Sequence, residues 1–167
     1  MELYHGSLEI VKEPNIDVQN YKTDFGKGFY TTLDFNQAKR WTKIKKDRII
    51  KENPNIKVKR YVNVYGYTYN SDLNTIEFKS ADEKWLDFIY MNRNSDSLLH
   101  NHDIISGPVA NDNLFATLKL FESNYISKEE TIKALKSYKL INQISFHTNE
   151  ALKTIRFIRA EEIEDDE

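Results

Sequence analysis

Two rhythms of apolar and polar residues run along the chain, one of period two and one near three and a half, and the switches between them mark its elements. Residues 58 to 69, "VKRYVNVYGYTY", alternate with period two and are rich in β-branched and aromatic side chains. This predicts a strand with Tyr61, Tyr65, Tyr67 and Tyr69 on one face and Val62 and Val64 on the other. The chain opens on "LYHGS", residues 3 to 7, which reads as a first strand ending at His5 and Gly6. "IISGPVA" (104 to 110), "QISFH" (143 to 147) and "IRFI" (155 to 158) predict further strands, the first two interior. Helix starts are legible from capping chemistry: Asp34, Ser80 and Ser127 each stand three residues before Gln37, Glu83 or Glu130. After Asp34, the residues Phe35, Ala38, Trp41 and Ile44 form an apolar stripe. Trp85, Phe88 and Ile89 mark a second helix, and Asn111 or Asp112 is placed to cap a third through Leu114, Phe115, Leu118 and Leu120. Strands and helices do not alternate as regular βαβ units, so the expected class is α+β.

Composition narrows this picture. The 167 residues are 40% hydrophobic and 13% aromatic, enough for one folded core rather than a disordered chain. A single domain over residues 1–160 is expected, followed by an acidic tail at 161–167, since Pro14, Pro54 and Pro108 all fall in loop-like contexts. The absence of cysteine excludes a disulfide framework, a thiolate zinc site and a Cys nucleophile. Neither a basic, apolar leader nor an apolar run near the roughly 18 residues of a membrane span is visible, which predicts a cytoplasmic protein with no membrane partner. The net charge of -2 conceals an asymmetry. Lys39, Arg40, Lys43, Lys45, Lys46, Arg48, Lys51, Lys57, Lys59 and Arg60 face only Asp47 and Glu52 in their segment, a local charge of +8. Such a segment is either a solvated helix face or a surface that steers toward nucleic acid or another acidic partner.

The densest candidate chemistry lies in "DFGKGFYTT", residues 24 to 32. Gly26 and Gly28 permit a tight turn and leave no side chain between backbone and ligand, with Tyr30, Thr31 and Thr32 next in line. A plain turn entering a strand is the competing reading. The Gly-Lys-Ser/Thr ending of a phosphate-binding loop is missing. The tyrosine face of residues 61 to 69 reads either as half-buried core or as a base-stacking surface. His100, His102 and His147 show no metal-ligand pattern, and no metal is expected.

Taken together, "LYHGS" and "FGKGFY" resemble the ADP-ribosyltransferase superfamily in its His–Tyr–Glu branch, which includes diphtheria toxin and the poly(ADP-ribose) polymerases. Trp41, eleven residues after Tyr30, stands where the polymerases carry a second aromatic residue. The chain is also similar to a bacterial family of uncharacterised single-domain proteins in that superfamily, through "HGS", "DFGKGFYTT", "EKWLDFIYMNR", "DIISGPVAND" and "QISFHT". The resemblance implies a split β-sandwich core with an NAD cleft, flanked by helices. It also implies transfer of a single ADP-ribose unit from NAD, the co-substrate, to a macromolecular acceptor with release of nicotinamide. On the same footing, the Gly6 backbone bonds the nicotinamide carboxamide, and His5 bonds a ribose hydroxyl with Ser7 nearby. Tyr30 stacks on nicotinamide opposite Trp41, with Gly28, Thr31 and Thr32 along the same wall.

The third signature position departs from the family, for Gln143 stands where the glutamate is expected. Its amide can bond a ribose but carries no charge, so mono-transfer rather than polymer formation is expected. Asp24 and Asp112 are the acids placed to compensate, and Arg93 is placed either to meet a phosphate or to close its helix with an ion pair. A bacterial toxin of a toxin–antitoxin or phage-defence pair, with an antitoxin as partner, is the setting this implies. The alternatives are a catalytically silent NAD or ADP-ribose binding module and a nucleic-acid binder acting through Lys39 to Arg60.

Overall fold

The computed structural model describes residues 1–16, 23–95, 100–108, 112–137 and 141–165, and the side chains of all of these except 112–115. Seven strands and five helices succeed one another in this part of the chain: β1 (Glu2–Ser7), β2 (Phe29–Thr32), α1 (Phe35–Glu52), β3 (Arg60–Tyr67), β4 (Thr75–Glu77), α2 (Glu83–Arg93), β5 (Ile104–Pro108), α3 (Asp112–Glu122), α4 (Lys128–Leu135), β6 (Asn142–Phe146), α5 (Asn149–Leu152) and β7 (Ile155–Ile163). The strands join edge to edge in one sheet of order β4-β5-β6-β2-β1-β3-β7, antiparallel throughout except for β4 beside β5. The α+β class expected from the sequence is met. Where a split sandwich is implied by resemblance, this sheet shows β1 and β2 sharing one registered pair, Tyr4 with Thr32.

Pleating assigns the faces, because residues paired across antiparallel strands point the same way. Gly6, Val62, Val64, Tyr30, Ser145, Gln143 and Ile105 share one face by register. At one end of this face α1 lies across β1 and β3. At the other, Trp85, Leu86 and Ile89 of α2, Leu118 of α3 and Leu135 of α4 enclose Ile105 and Phe25 in an apolar core. Leu3, Phe29, Tyr65, Ile104, Ile144 and Phe146 form a second core on the opposite face, closed by Ala151 of α5. The chain after β1 is tied over that face by polar contacts: Asn63 Oδ1 accepts from Val11 N at 2.8 Å, and the Tyr65 hydroxyl donates to Val11 O at 2.6 Å.

Local chemistry explains most boundaries. Asp34 caps α1 by accepting from Gln37 N at 2.9 Å, and Ser127 with Glu130 closes a reciprocal capping box on α4. Helix α2 differs from expectation: Asp82 rather than Ser80 is the cap and accepts from Trp85 N at 3.0 Å. A carboxylate one residue before Glu83 reaches the free N–H groups of the first turn, which Ser80 is too far back to meet. Asn111 lies outside the described residues.

The stripe on α1 also differs. Of Phe35, Ala38, Trp41 and Ile44 only Ala38 is fully buried, and Ile44 is 44% exposed. The buried row is Gln37, Ala38 and Thr42, and α1 approaches β1 so closely that the small Ala38 and Thr42 stand directly over Gly6. A Cβ placed on Gly6 would stand 2.2 Å from Ala38 O. The tyrosine face is split as well: Tyr65 is fully buried, while Tyr69 lies past the end of β3 and is 69% exposed.

Strand β7 runs on to Ile163, five residues beyond the expected "IRFI", so Glu161 and Glu162 belong to the sheet rather than to a tail. The acidic residues at this end of the chain dock on the basic segment. Asp165 pairs with Lys46 and lies 3.1 Å from Arg60 Nε, and Lys59 Nζ lies 2.9 Å from Glu162. Three of the ten basic residues of that segment are thereby paired within the chain. Among the described residues no helix is long and apolar enough to cross a membrane.

The α1 contact makes a sharp stability prediction. Gly6→Ala drives a methyl group into helix backbone and is expected to lower stability by about 1–3 kcal/mol, in the range of core overpacking. Gly66→Ala, whose added Cβ would find its nearest neighbour at 3.4 Å, is expected to leave stability unchanged or raised. Urea unfolding of both variants checks this, and equal midpoints would contradict the close approach.

Candidate functional site

Strands β1 and β2 part after Tyr4. Continuing their register would set Gly6 across from Tyr30, but the side chain of His5 bridges the gap instead, its Nδ1 lying 2.7 Å from Tyr30 O. A carbonyl only accepts, so Nδ1 carries the proton and Nε2 is left as an acceptor. The ring is buried beside Phe29, with centroids 4.3 Å apart. Burial, with the charge of Lys45 in second place, holds the His5 pKa down to about 3, so the imidazole is neutral. On the other side of β1, Lys45 of α1 donates from Nζ to Gly6 O at 2.6 Å.

The segment before β2 is fastened by side chains. Gly26 has φ 84°, the left-handed region that favours glycine. The carbonyls of three successive residues meet donors from elsewhere: Phe25 O meets His100 Nε2 at 2.7 Å, Gly26 O meets the Tyr30 hydroxyl, and Lys27 O meets His147 Nδ1 at 2.7 Å. Phe25 N donates back to the Tyr30 oxygen at 3.1 Å, and Thr23 Oγ1 lies 2.8 Å from it. Burial pushes the Tyr30 pKa upward, so this hydroxyl stays protonated. His147 Nε2, left without a proton by the bond at Nδ1, accepts from Ser145 Oγ at 2.7 Å.

Gln143 lies on the same face as Tyr30, opposite Thr32. Its Nε2 donates to Asp24 Oδ2 at 3.2 Å in a buried contact. Asp24 in turn lies 3.8 Å from Arg93, whose Nε is 3.2 Å from Glu122. The structure therefore joins three residues that the sequence suggested separately: the uncharged amide, a nearby acid and the arginine of "WLDFIYMNR".

Other expected site residues are engaged differently. The hydroxyls of Thr31 and Thr32 donate to Ile144 O at 2.8 Å and Asn142 O at 3.1 Å, and both residues are fully buried, so they bind β6 rather than line a wall. Ser7 is buried, with Oγ accepting from Glu9 N at 3.3 Å. The Cα of Gly28 faces protein, since an added Cβ would stand 2.6 Å from His147 Nδ1. Trp41 is only partly buried and makes no described aromatic contact, unlike a core tryptophan. Asp112 opens α3, but its side chain lies outside the described residues. His102 Nδ1 sits 3.3 Å from Asn74 Oδ1, and among the described residues no group of three His, Asp or Glu side chains could hold a metal.

Sequence reading missed Lys45 as an individual residue, counting it only as one basic charge among ten. The signal was its place seven residues after Ala38, on the helix face that meets β1.

The buried histidines set a pH dependence. Burial lowers His5 to about 3 and His147 to about 4, and it also lowers His100. Below about pH 6.5 the unfolded chain takes up protons at these positions that the folded chain refuses, so stability falls with pH. Each fully refused proton is worth about 1.4 kcal/mol per pH unit. Urea midpoints are expected to drop between pH 6.5 and 5, above the range where carboxylates titrate. Unchanged midpoints across that window would contradict neutral, buried imidazoles.

A family model described as a protein of unknown function, DUF3990, matches residues 1–157. Neither a curated protein nor a solved structure matches the chain. Because the family match takes in β1 through the start of β7, with both walls of the gap beside Gly6, the chain belongs to the DUF3990 family.

Proposed function

We propose that this protein transfers single ADP-ribose units from NAD to a macromolecular acceptor and releases nicotinamide. The observation that carries the reading is the parting of β1 from β2 beside Tyr30, with the three signature positions on the neighbouring strands β1, β2 and β6. Cleavage of the bond between nicotinamide and ribose develops positive charge on the ribose, so the protein contributes positioning and placed charge. Gln143 donates from Nε2 to Asp24 and keeps Oε1 to accept from a ribose hydroxyl, which aligns its dipole with the carboxylate behind it. Asp24 thus supplies through the amide part of what a glutamate would supply directly. Arg93 offsets some of that charge, in keeping with mono-transfer.

The remaining roles rest on the contacts. The Tyr30 ring is the face for nicotinamide, because its hydroxyl is already held by the 23–27 turn. Trp41, partly exposed, serves as the opposing face. His5 lies on the Phe29 side of the sheet, opposite Tyr30 and Gln143, where its Nδ1–H holds the Tyr30 backbone and its Nε2 is the acceptor for a ribose hydroxyl entering through the gap. A second reading, an NAD or ADP-ribose binding module without turnover, draws on the pairing of Asp24 with Arg93, which weakens the anion behind Gln143.

Adenine-labelled NAD incubated with the protein and a cell lysate separates the readings. Label is expected in macromolecules, sensitive to nuclease or protease according to the acceptor. Tyr30→Ala is expected to reduce it by about 10²-fold or more, and Asp24→Asn substantially, on the scale of a lost electrostatic contact in a catalytic site. Tyr30→Phe, which keeps the ring, is expected to retain more label than Tyr30→Ala. Ligand-induced stabilisation with no nicotinamide released by the wild type would favour the silent module. Equal labelling by wild type and Tyr30→Ala would reject the site.

A further inference from the structure

Lys45 combines burial of its ammonium with the lack of a carboxylate beside it among the described residues. Lys46, Lys59 and Arg60 each meet an acidic group near the C-terminus. The ammonium of Lys45 has no carboxylate partner among the described residues, and its one hydrogen bond goes to the neutral carbonyl of Gly6. The charged groups that act on it offer no compensation: Arg48 repels it, and His5 on the adjoining strand is neutral. Burial and Arg48 lower its pKa to about 8, so near pH 7 it remains mostly charged in a place that disfavours charge. A partly buried cation without a counter-ion is unfavourable, and an anionic ligand would relieve it. The flexible four-carbon stem lets the ammonium leave Gly6 for such a ligand without moving the helix.

We propose that Lys45 is the diphosphate-recognising residue of this site: the diphosphate of an ADP-ribose-containing ligand draws its ammonium from Gly6 O and frees that carbonyl for the nicotinamide carboxamide. The inference rests on the NAD reading above and adds to it a specificity rule. Nicotinamide alone has no charge with which to displace Lys45, so it competes poorly for Gly6 O. A diphosphate ligand opens the carbonyl and the two bind cooperatively.

Calorimetric titration of the full chain tests this with ADP-ribose, ADP and nicotinamide as probes. In the wild type, saturating ADP is expected to raise affinity for nicotinamide. In Lys45→Met, ADP-ribose affinity is expected to fall about tenfold or more, as for loss of a hydrogen bond to a charged group. Nicotinamide affinity is expected to rise there and to lose its dependence on ADP. Lys45→Arg is expected to keep most of the ADP-ribose affinity. The opposite sign of the two effects in Lys45→Met distinguishes recognition from damage to the fold, which would weaken both ligands. Tight ADP-ribose binding that is unchanged in Lys45→Met would overturn the role of Lys45 and leave the NAD reading standing. Failure of the wild type to bind either ADP-ribose or NAD would overturn both. The ADP effect on nicotinamide in the wild type needs no variant, and its absence would also overturn the proposal.

Discussion

Beyond Tyr4 the strand β1 no longer pairs in register with β2, and the rest of the structure depends on what occupies the space between them. Buried backbone groups need partners, and a sheet that opens in its middle leaves such groups on both sides. Two side chains of opposite character meet this need: His5 bonds Tyr30 O from β1, and Lys45 reaches Gly6 O from α1. The first contact requires a neutral imidazole, because its burial beside Phe29 penalises the charged form. The second requires α1 to lie close over β1, which in turn requires glycine at position 6 and small residues at Ala38 and Thr42. The gap is therefore built into the packing of the first helix.

The same principle shapes the turn before β2. Its carbonyls point into the protein, where a loop would ordinarily need water, and Tyr30, His100 and His147 satisfy them from different parts of the chain. This changes the meaning of two motif glycines. Glycine at 6 or 28 suggests backbone kept clear for a ligand, yet on the Cα side each is covered by protein, Gly6 by Ala38 and Gly28 by His147. What Gly6 can offer a ligand is its peptide group, whose carbonyl already binds a displaceable ammonium. Motif and packing thus constrain the same positions for different reasons.

Much of the fold was legible because its signals are local. The period-two run at β3, the apolar "QISF" of β6 and the box of Ser127 with Glu130 each carry their physics within a few residues. Strand β4 and helix α5 were not legible, since three or four residues show no period. The buried face of α1 was misread because the large apolar residues are the ones excluded from its closest contact, an outcome decided by Gly6 far away in sequence. In the site, Asp24 and Gln143 were each suspected, but their bond joins residues 119 positions apart. Lys45 is not distinguishable in a charge count, because only the fold shows that its ammonium meets Gly6 O with no carboxylate beside it among the described residues.

Charge compensation across the whole chain gives that distinction its force. The acidic C-terminal residues draw Lys46, Lys59 and Arg60 into ion pairs, of which the exposed Lys59–Glu162 pair is weak and screened by salt. Around Tyr30 the balance is local. Asp24 lies behind Gln143 on the β6 side, offset in part by Arg93, while Lys45 stands on the β1 side with only a carbonyl for company. A ligand with developing positive charge at one end and fixed negative charge at the other suits that polarity in one orientation, and reversal would set like charges together at both ends. An NAD molecule broken at its nicotinamide bond has this charge distribution. On the proposed NAD reading, this polarity orients the substrate as well as retaining it, through Asp24 behind Gln143 at one end and Lys45 at the other.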